Sequence, residues 1–275
     1  MPSPSLLITG CLQWYEELSA LIHGRDDARH LLGGYASVAE SFRQDLPWEG
    51  FPQAALWIHL RQDIFNAVIN QRVPRTNVHR LGIDRKSSPA DETTWAKRVL
   101  CLEAEVIGYC FGHEGSSIQQ HEALEARLED WDRQKPQTFT PVFYQERDLS
   151  QGVSFPVVSV LLDSCAFGLS HYYFAMLMML VHDPRMPKVG TQYLKCQKEI
   201  RIKILHFLRL LCGLASSSPV PPARGMTCLA LSLFGSWITD HAERDVAINV
   251  LRKIDREDAW PTSSFQRDLR AQWES

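Results

Sequence analysis

"FPVVSVLLDSCAFGLSHYYFAMLMMLV", residues 155–181, decides the fold. Wound as a helix at about 100° per residue it is apolar on every side, so it has no face suited to water. Such a segment either crosses a bilayer, for which it is long enough, or forms the axis of a bundle. Asp163 and His171 weigh against lipid, where each would be costly, and the flanks are not basic. The reading is a central helix over 155–182 and no membrane partner.

Outward from that axis, helical periodicity runs almost end to end, and strand-like alternation bounded by turns is nearly absent. Helices are expected at 5–23, 27–44, 52–71, 91–112, 117–134, 155–182, 189–215, 223–240, 242–258 and 262–273. The fold class is therefore all-α: one multi-helix domain of about ten helices around a central hydrophobic helix, spanning 28–273, with 1–27 as an N-terminal helical segment. Pro52 and Pro156 suit first-turn positions, Ser154 suits an N-cap, and Asp183-Pro184 ends the central helix. "SSSPVPPARG", 216–225, reads as a loop, Gly33-Gly34 loosens the second segment, and the connections over 72–90 and 136–153 are long enough to cover a site or move. The first of these is basic, with Arg72, Arg75, Arg80, Arg85 and Lys86, which suits either a solvated loop or an anion contact.

The bulk numbers narrow the function. With 29 Lys plus Arg against 32 Asp plus Glu, the net charge of −3 gives no basic surplus for nucleic acid, so direct DNA binding is not expected. The N-terminus, with Glu16 and Glu17 soon after a short apolar run, makes a poor signal or transit peptide, which points to the cytoplasm or nucleus. Seven cysteines, at 11, 101, 110, 165, 196, 212 and 228, include no pair at zinc or redox spacing, so they read as reduced and mostly buried. No P-loop, GxGxxG, GxSxG or HExxH occurs, and neither a cofactor nor a metal is expected. His59 and Asp63 share a helical face but lack a third ligand, so they read as a solvated pair; "VHDP" at 181–184 lacks the histidine that would make it a metal motif.

Two polar intrusions remain. In "WIHLRQDIFNAVINQ", 57–71, Leu60, Ile64, Phe65 and Val68 form an apolar stripe, His59, Gln62, Asp63, Asn66 and Asn70 lie opposite it, and Arg61 falls inside the stripe. A charge there needs a partner or a cavity. In the central helix Ser159, Asp163 and Ser170 align, and Asp163 is a candidate partner for Arg61. Should the two not meet, Arg61, His171 and Tyr172 become donors aimed at a ligand lined by Trp57, Phe65, Tyr109, Phe174 and Met178. Plain core packing is the alternative reading of that aromatic and methionine stripe.

"ALWIHLRQDIFNAVINQ", 55–71, and "ERDVAINVLRKIDREDAWPT", 243–262, resemble segments of the fungal-specific transcription factor domain, the helical regulatory region downstream of a zinc cluster in fungal regulators. The similarity spans roughly 28–273. It implies an all-α fold, a role in regulation, in some members the sensing of small molecules, and often a homodimer. The family's zinc module needs six cysteines, and before residue 28 this sequence has only Cys11. Two functions are then expected. In the first, a stand-alone helical domain binds a hydrophobic fungal secondary metabolite and acts as a cofactor-independent cyclase or pericyclase, of Diels–Alder type, in terpenoid or polyketide biosynthesis. Such chemistry needs a shaped cavity and one hydrogen-bond donor and leaves no motif. In the second, the chain is a truncated or partner-dependent transcriptional regulator.

Overall fold

The structure, a computed structural model of the chain, describes residues 51–81, 88–112 and 117–274. The chain divides into two compact units, Met1–Asp84 and Arg85–Ser275. It is all-α: the described residues hold eight α-helices and one two-stranded sheet. The helices expected at 5–23 and 27–44, the boundary at 27/28 and Gly33-Gly34 lie outside the described residues.

The first unit contributes helix α1, Phe51–Ile69. Leu56, Leu60, Ile64, Ala67 and Val68 are buried as the periodicity requires, but so are His59, Gln62, Asp63 and Asn66, which the sequence reading left in water. The reason is visible at Asp63, which is 0% exposed. Its Oδ2 accepts the Thr76 backbone N–H at 2.7 Å, and its Oδ1 accepts both terminal nitrogens of Arg72 at 3.3 Å. A buried carboxylate with three donors is satisfied without solvent. Gln71, in the left-handed region at φ 47°, ends the helix and turns Arg72 back to reach it. The start of the basic loop is thus tied down by Arg72, while Arg85 and Lys86 lie outside the described residues.

The second unit is built on α2 (Glu92–Phe111), α3 (Ile118–Gln134), α4 (Asp163–Val181), α5 (Gly190–Ser217), α6 (Pro221–Phe234), α7 (His241–Asp258) and α8 (Ser263–Glu274). Helix α4 is the axis: α2, α5 and α6 pack around it, and twelve of its residues are buried, including Leu169, Phe174, Leu177 and Met178. Among the described residues it alone is long and apolar enough to cross a membrane, and 72% of its apolar window is buried inside the protein. Asp91, Ser117 and Asp240 cap α2, α3 and α7 through their side-chain oxygens.

The axis begins later than expected. Residues 157–159 are not helix but strand β2 (Val157–Ser159), antiparallel to β1 (Phe143–Gln145) with Tyr144 opposite Val158. Consecutive β-branched residues after Pro156 favour this extended form, yet the pairing partner lies a dozen residues upstream and is invisible to local periodicity. Ser154 is therefore no N-cap, Pro156 is not in a helix, and Ser159 does not align with Asp163 and Ser170. β2 packs on α5, where Gly213 makes the approach possible: a Cβ there would sit 2.1 Å from the Pro156 carbonyl oxygen.

Two buried charges fasten the outer helices. Arg224, at the overlap of the expected loop 216–225 and the expected helix 223–240, lies in α6, where its Nε donates to the Ala215 and Ser218 carbonyls at the end of α5. Its terminal nitrogens meet Asp258 and Glu257 at the end of α7, each at 2.9 Å. Glu243 in α7 holds Arg209 of α5 at 2.9 Å and Arg147 at 2.5 Å, so the 136–153 connection is pinned at Arg147 and by the buried Phe139.

Candidate functional site

Helix α4 carries two of the three expected catalytic residues into the middle of the second unit. His171 is 0% exposed, and its Nδ1 is hydrogen-bonded to Oε2 of Glu103, equally buried on α2. The Phe167 ring lies against the imidazole, with centroids 4.3 Å apart. Burial pushes the Glu103 carboxyl up from its ordinary range, opposed by the charge of and hydrogen bond from His171. The outer atoms of the pair, His171 Nε2 and Glu103 Oε1, have no hydrogen-bond partner. A carboxylate that orients an imidazole is a device general bases use, with the far nitrogen left for substrate. In this protein that nitrogen faces packed side chains and not solvent.

Tyr172, the neighbouring donor, is buried with its ring stacked on Trp131 at 5.2 Å and 25°. Trp131 in turn donates from Nε1 to the Trp95 carbonyl at 3.0 Å and meets Phe139 edge-on. Burial raises the Tyr172 hydroxyl far above the usual phenol range, so it stays protonated and remains a donor. Phe174 and Met178, expected to line a ligand cavity, are core residues, and the Met178 carbonyl accepts from the Cys110 thiol and from His182. Tyr109 is half-buried at the far end of α2, its ring 5.8 Å from that of His121.

Trp57, Arg61 and Phe65, all half-buried, belong to α1 in the first unit. Arg61 makes no ion pair with the described residues, and its desolvated guanidinium is held below the ordinary arginine pKa. Its suggested partner Asp163 is exposed in the first turn of α4, where a negative charge complements the helix dipole and needs no cation. His59 and Asp63 are not the solvated pair expected, since both are buried, and His59 is pushed down to about 4 by burial, against the pull of Asp63. Among the described residues no three His, Cys, Asp or Glu side chains gather as a metal site.

Reading for reactive residues missed Glu103. The signal existed: at a spacing of four it falls between Val99 and Ile107 on the inward face of α2, as anomalous there as Arg61 is in its own stripe. It missed as well that α5 extends beyond the body it helps to build. From Ile204 onward the stripe Ile204, Leu208, Leu211 is buried, whereas Gly190 to Arg201 contains no buried residue. Along that outer half Tyr193, Cys196 and Ile200 continue the same line, and Val189, just before the helix, is 82% exposed.

Compared with models of known protein families, with curated proteins and with solved structures, the chain matches none of them.

Proposed function

We propose that this chain is a regulatory helical domain that acts by binding another macromolecule, the role implied by its resemblance to the fungal-specific transcription factor domain. The observation that carries this reading is the outer half of α5. A helical segment of that length is marginal in water on propensity alone, and from Gly190 to Arg201 this one contains no buried residue, while Leu194 is 58% exposed and Val189, just before it, leaves a second apolar side chain open to solvent. A partner that covers these exposed side chains supplies the missing burial, as in helix-in-groove recognition. The test is to fuse the full chain to a heterologous DNA-binding domain and read a reporter. Altered transcription that disappears in the Val189→Glu/Leu194→Glu variant supports the proposal, because both residues are exposed. A silent fusion at normal protein level overturns it.

The second reading, a cofactor-independent cyclase acting on a hydrophobic secondary metabolite, draws on one observation: His171 Nε2, oriented by Glu103, has no partner. In that reading His171 and Tyr172 polarise the substrate, and Tyr109, Phe174 and Met178 hold it. It requires the core around α4 to open. Product formed from candidate polyketides or terpenoids by the wild-type chain, and lost in the Glu103→Leu/His171→Phe double variant at unchanged melting temperature, supports it; no conversion of any of them removes it.

A further inference from the structure

Helices α7 and α8 enclose a cleft of about 560 Å³ that none of the preceding roles uses. Three arginines line it, Arg244, Arg252 and Arg270, with Ile248 and Trp273 as its apolar wall. Arg244 is the organised member. Its Nε donates to the Ile238 carbonyl at 2.9 Å, and its guanidinium lies 5.3 Å from the centre of the Trp273 ring. Trp273 is itself fixed, donating from Nε1 to the Gly235 carbonyl at 2.9 Å. Both side chains are thus anchored to the one short turn Gly235–Trp237 and the residue after it. The two terminal nitrogens of Arg244 form no ion pair with the described residues, although Asp245 and Glu274 line the same cleft. Arg252 reaches only Asn249 on its own helix, and Arg270 is exposed.

We propose that this cleft binds a small organic carboxylate with an apolar body. A guanidinium held by its Nε and by an aromatic face presents its remaining donors as a fixed fork, which matches the two oxygens of a carboxylate. The ordering of that side chain has already taken place in the free protein, which lowers the cost of binding. Ile248 and Trp273 give the body of the ligand a surface to cover. The charge balance selects the anion: three arginines against two carboxylates favour a monoanion, whereas a phosphate dianion meets Asp245 and Glu274 at close range. The cleft shares no residue with the outer half of α5, so it stands or falls separately from the partner-binding role.

The probe is 2-naphthoate, titrated calorimetrically into the full chain, with 2-naphthalenemethanol and inorganic phosphate as comparisons. The expected result is a 1:1 complex with Kd below about 1 mM, with the neutral alcohol at least about tenfold weaker and phosphate failing to compete. Arg244→Gln weakens naphthoate about tenfold or more, and Arg270→Gln, at an exposed position that folding does not use, weakens it about threefold. Arg256→Gln, on α7 but paired with Glu257 away from the cleft, leaves it unchanged. Absence of binding up to about 10 mM overturns the proposal. So does binding indifferent to both Arg244→Gln and Arg270→Gln, or displacement of naphthoate by phosphate.

Discussion

The Glu103–His171 pair joins α2 to α4 in the middle of the core, and its energy can be worked out from its surroundings. Replacing Glu103 by Leu nearly conserves volume but leaves His171, 0% exposed, with neither ring nitrogen bonded. Removing one member of such a pair costs about 3–5 kcal/mol, because the desolvation of the survivor is no longer offset. His171→Phe has a similar cost for the opposite reason, since it strands a carboxyl that burial already pushes up. The double variant Glu103→Leu/His171→Phe removes both polar groups and puts apolar side chains of similar size beside Phe167. It is expected within about 2 kcal/mol of the wild type, which implies a coupling of about 4 kcal/mol or more. The assay is urea unfolding of the four proteins at neutral pH, followed by far-ultraviolet circular dichroism. At about 2–4 °C per kcal/mol for a chain of this size, each single variant also melts about 6–20 °C lower. If the double variant loses as much as the two singles together, the side chains do not act as a pair and their placement is wrong.

Gly213→Ala sets two effects against each other. Helix propensity favours Ala by about 1 kcal/mol, but the added Cβ would lie 2.1 Å from a backbone oxygen of Pro156 that cannot rotate away, so a net loss of about 2 kcal/mol is expected. A higher melting temperature would show that β2 does not rest on α5. His59 gives a pH test of the first unit: burial holds it at about 4 against an ordinary value of 6.5, so the folded state binds fewer protons than the unfolded one between those values. The stability contributed by neutral His59 is complete above the ordinary value and is lost as pH falls through the interval, by about 2 kcal/mol at pH 5. His59→Leu should flatten the acid limb of a urea-stability profile, and an unchanged slope would count against a buried, neutral His59.

The helices were legible because the residues that make them repeat locally. Val99, Glu103 and Ile107, or Leu124, Leu128 and Trp131, fall on one face whatever they later touch. Pairings at long range were not legible. Val157–Ser159 looks helical when attached to the apolar run that follows, and only Phe143–Gln145 makes it a strand. Polarity misled at α1, where His59 and Asp63 read as the wet side because the donors that satisfy Asp63 come from Arg72 and Thr76, beyond the helix end. The same blindness affected the candidate site. His171 was visible as a polar tip in an apolar helix, but whether it served a ligand or another side chain depended on Glu103, sixty-eight positions away.

Helix α5 is 28 residues long, roughly 42 Å of stiff rod, and its inner half is gripped by β2 at Gly213 and by Glu243 through Arg209. A rod clamped at one end and without a buried residue along the outer turns of the other is a lever. Sideways load on Tyr193 or Cys196 reaches the clamp with an arm of roughly four to six turns, where close packing resists gradual deformation and leaves small slips between packed arrangements as the response. The joint that would register such a load is Gly213 against Pro156, where no side chain cushions the contact between helix and backbone.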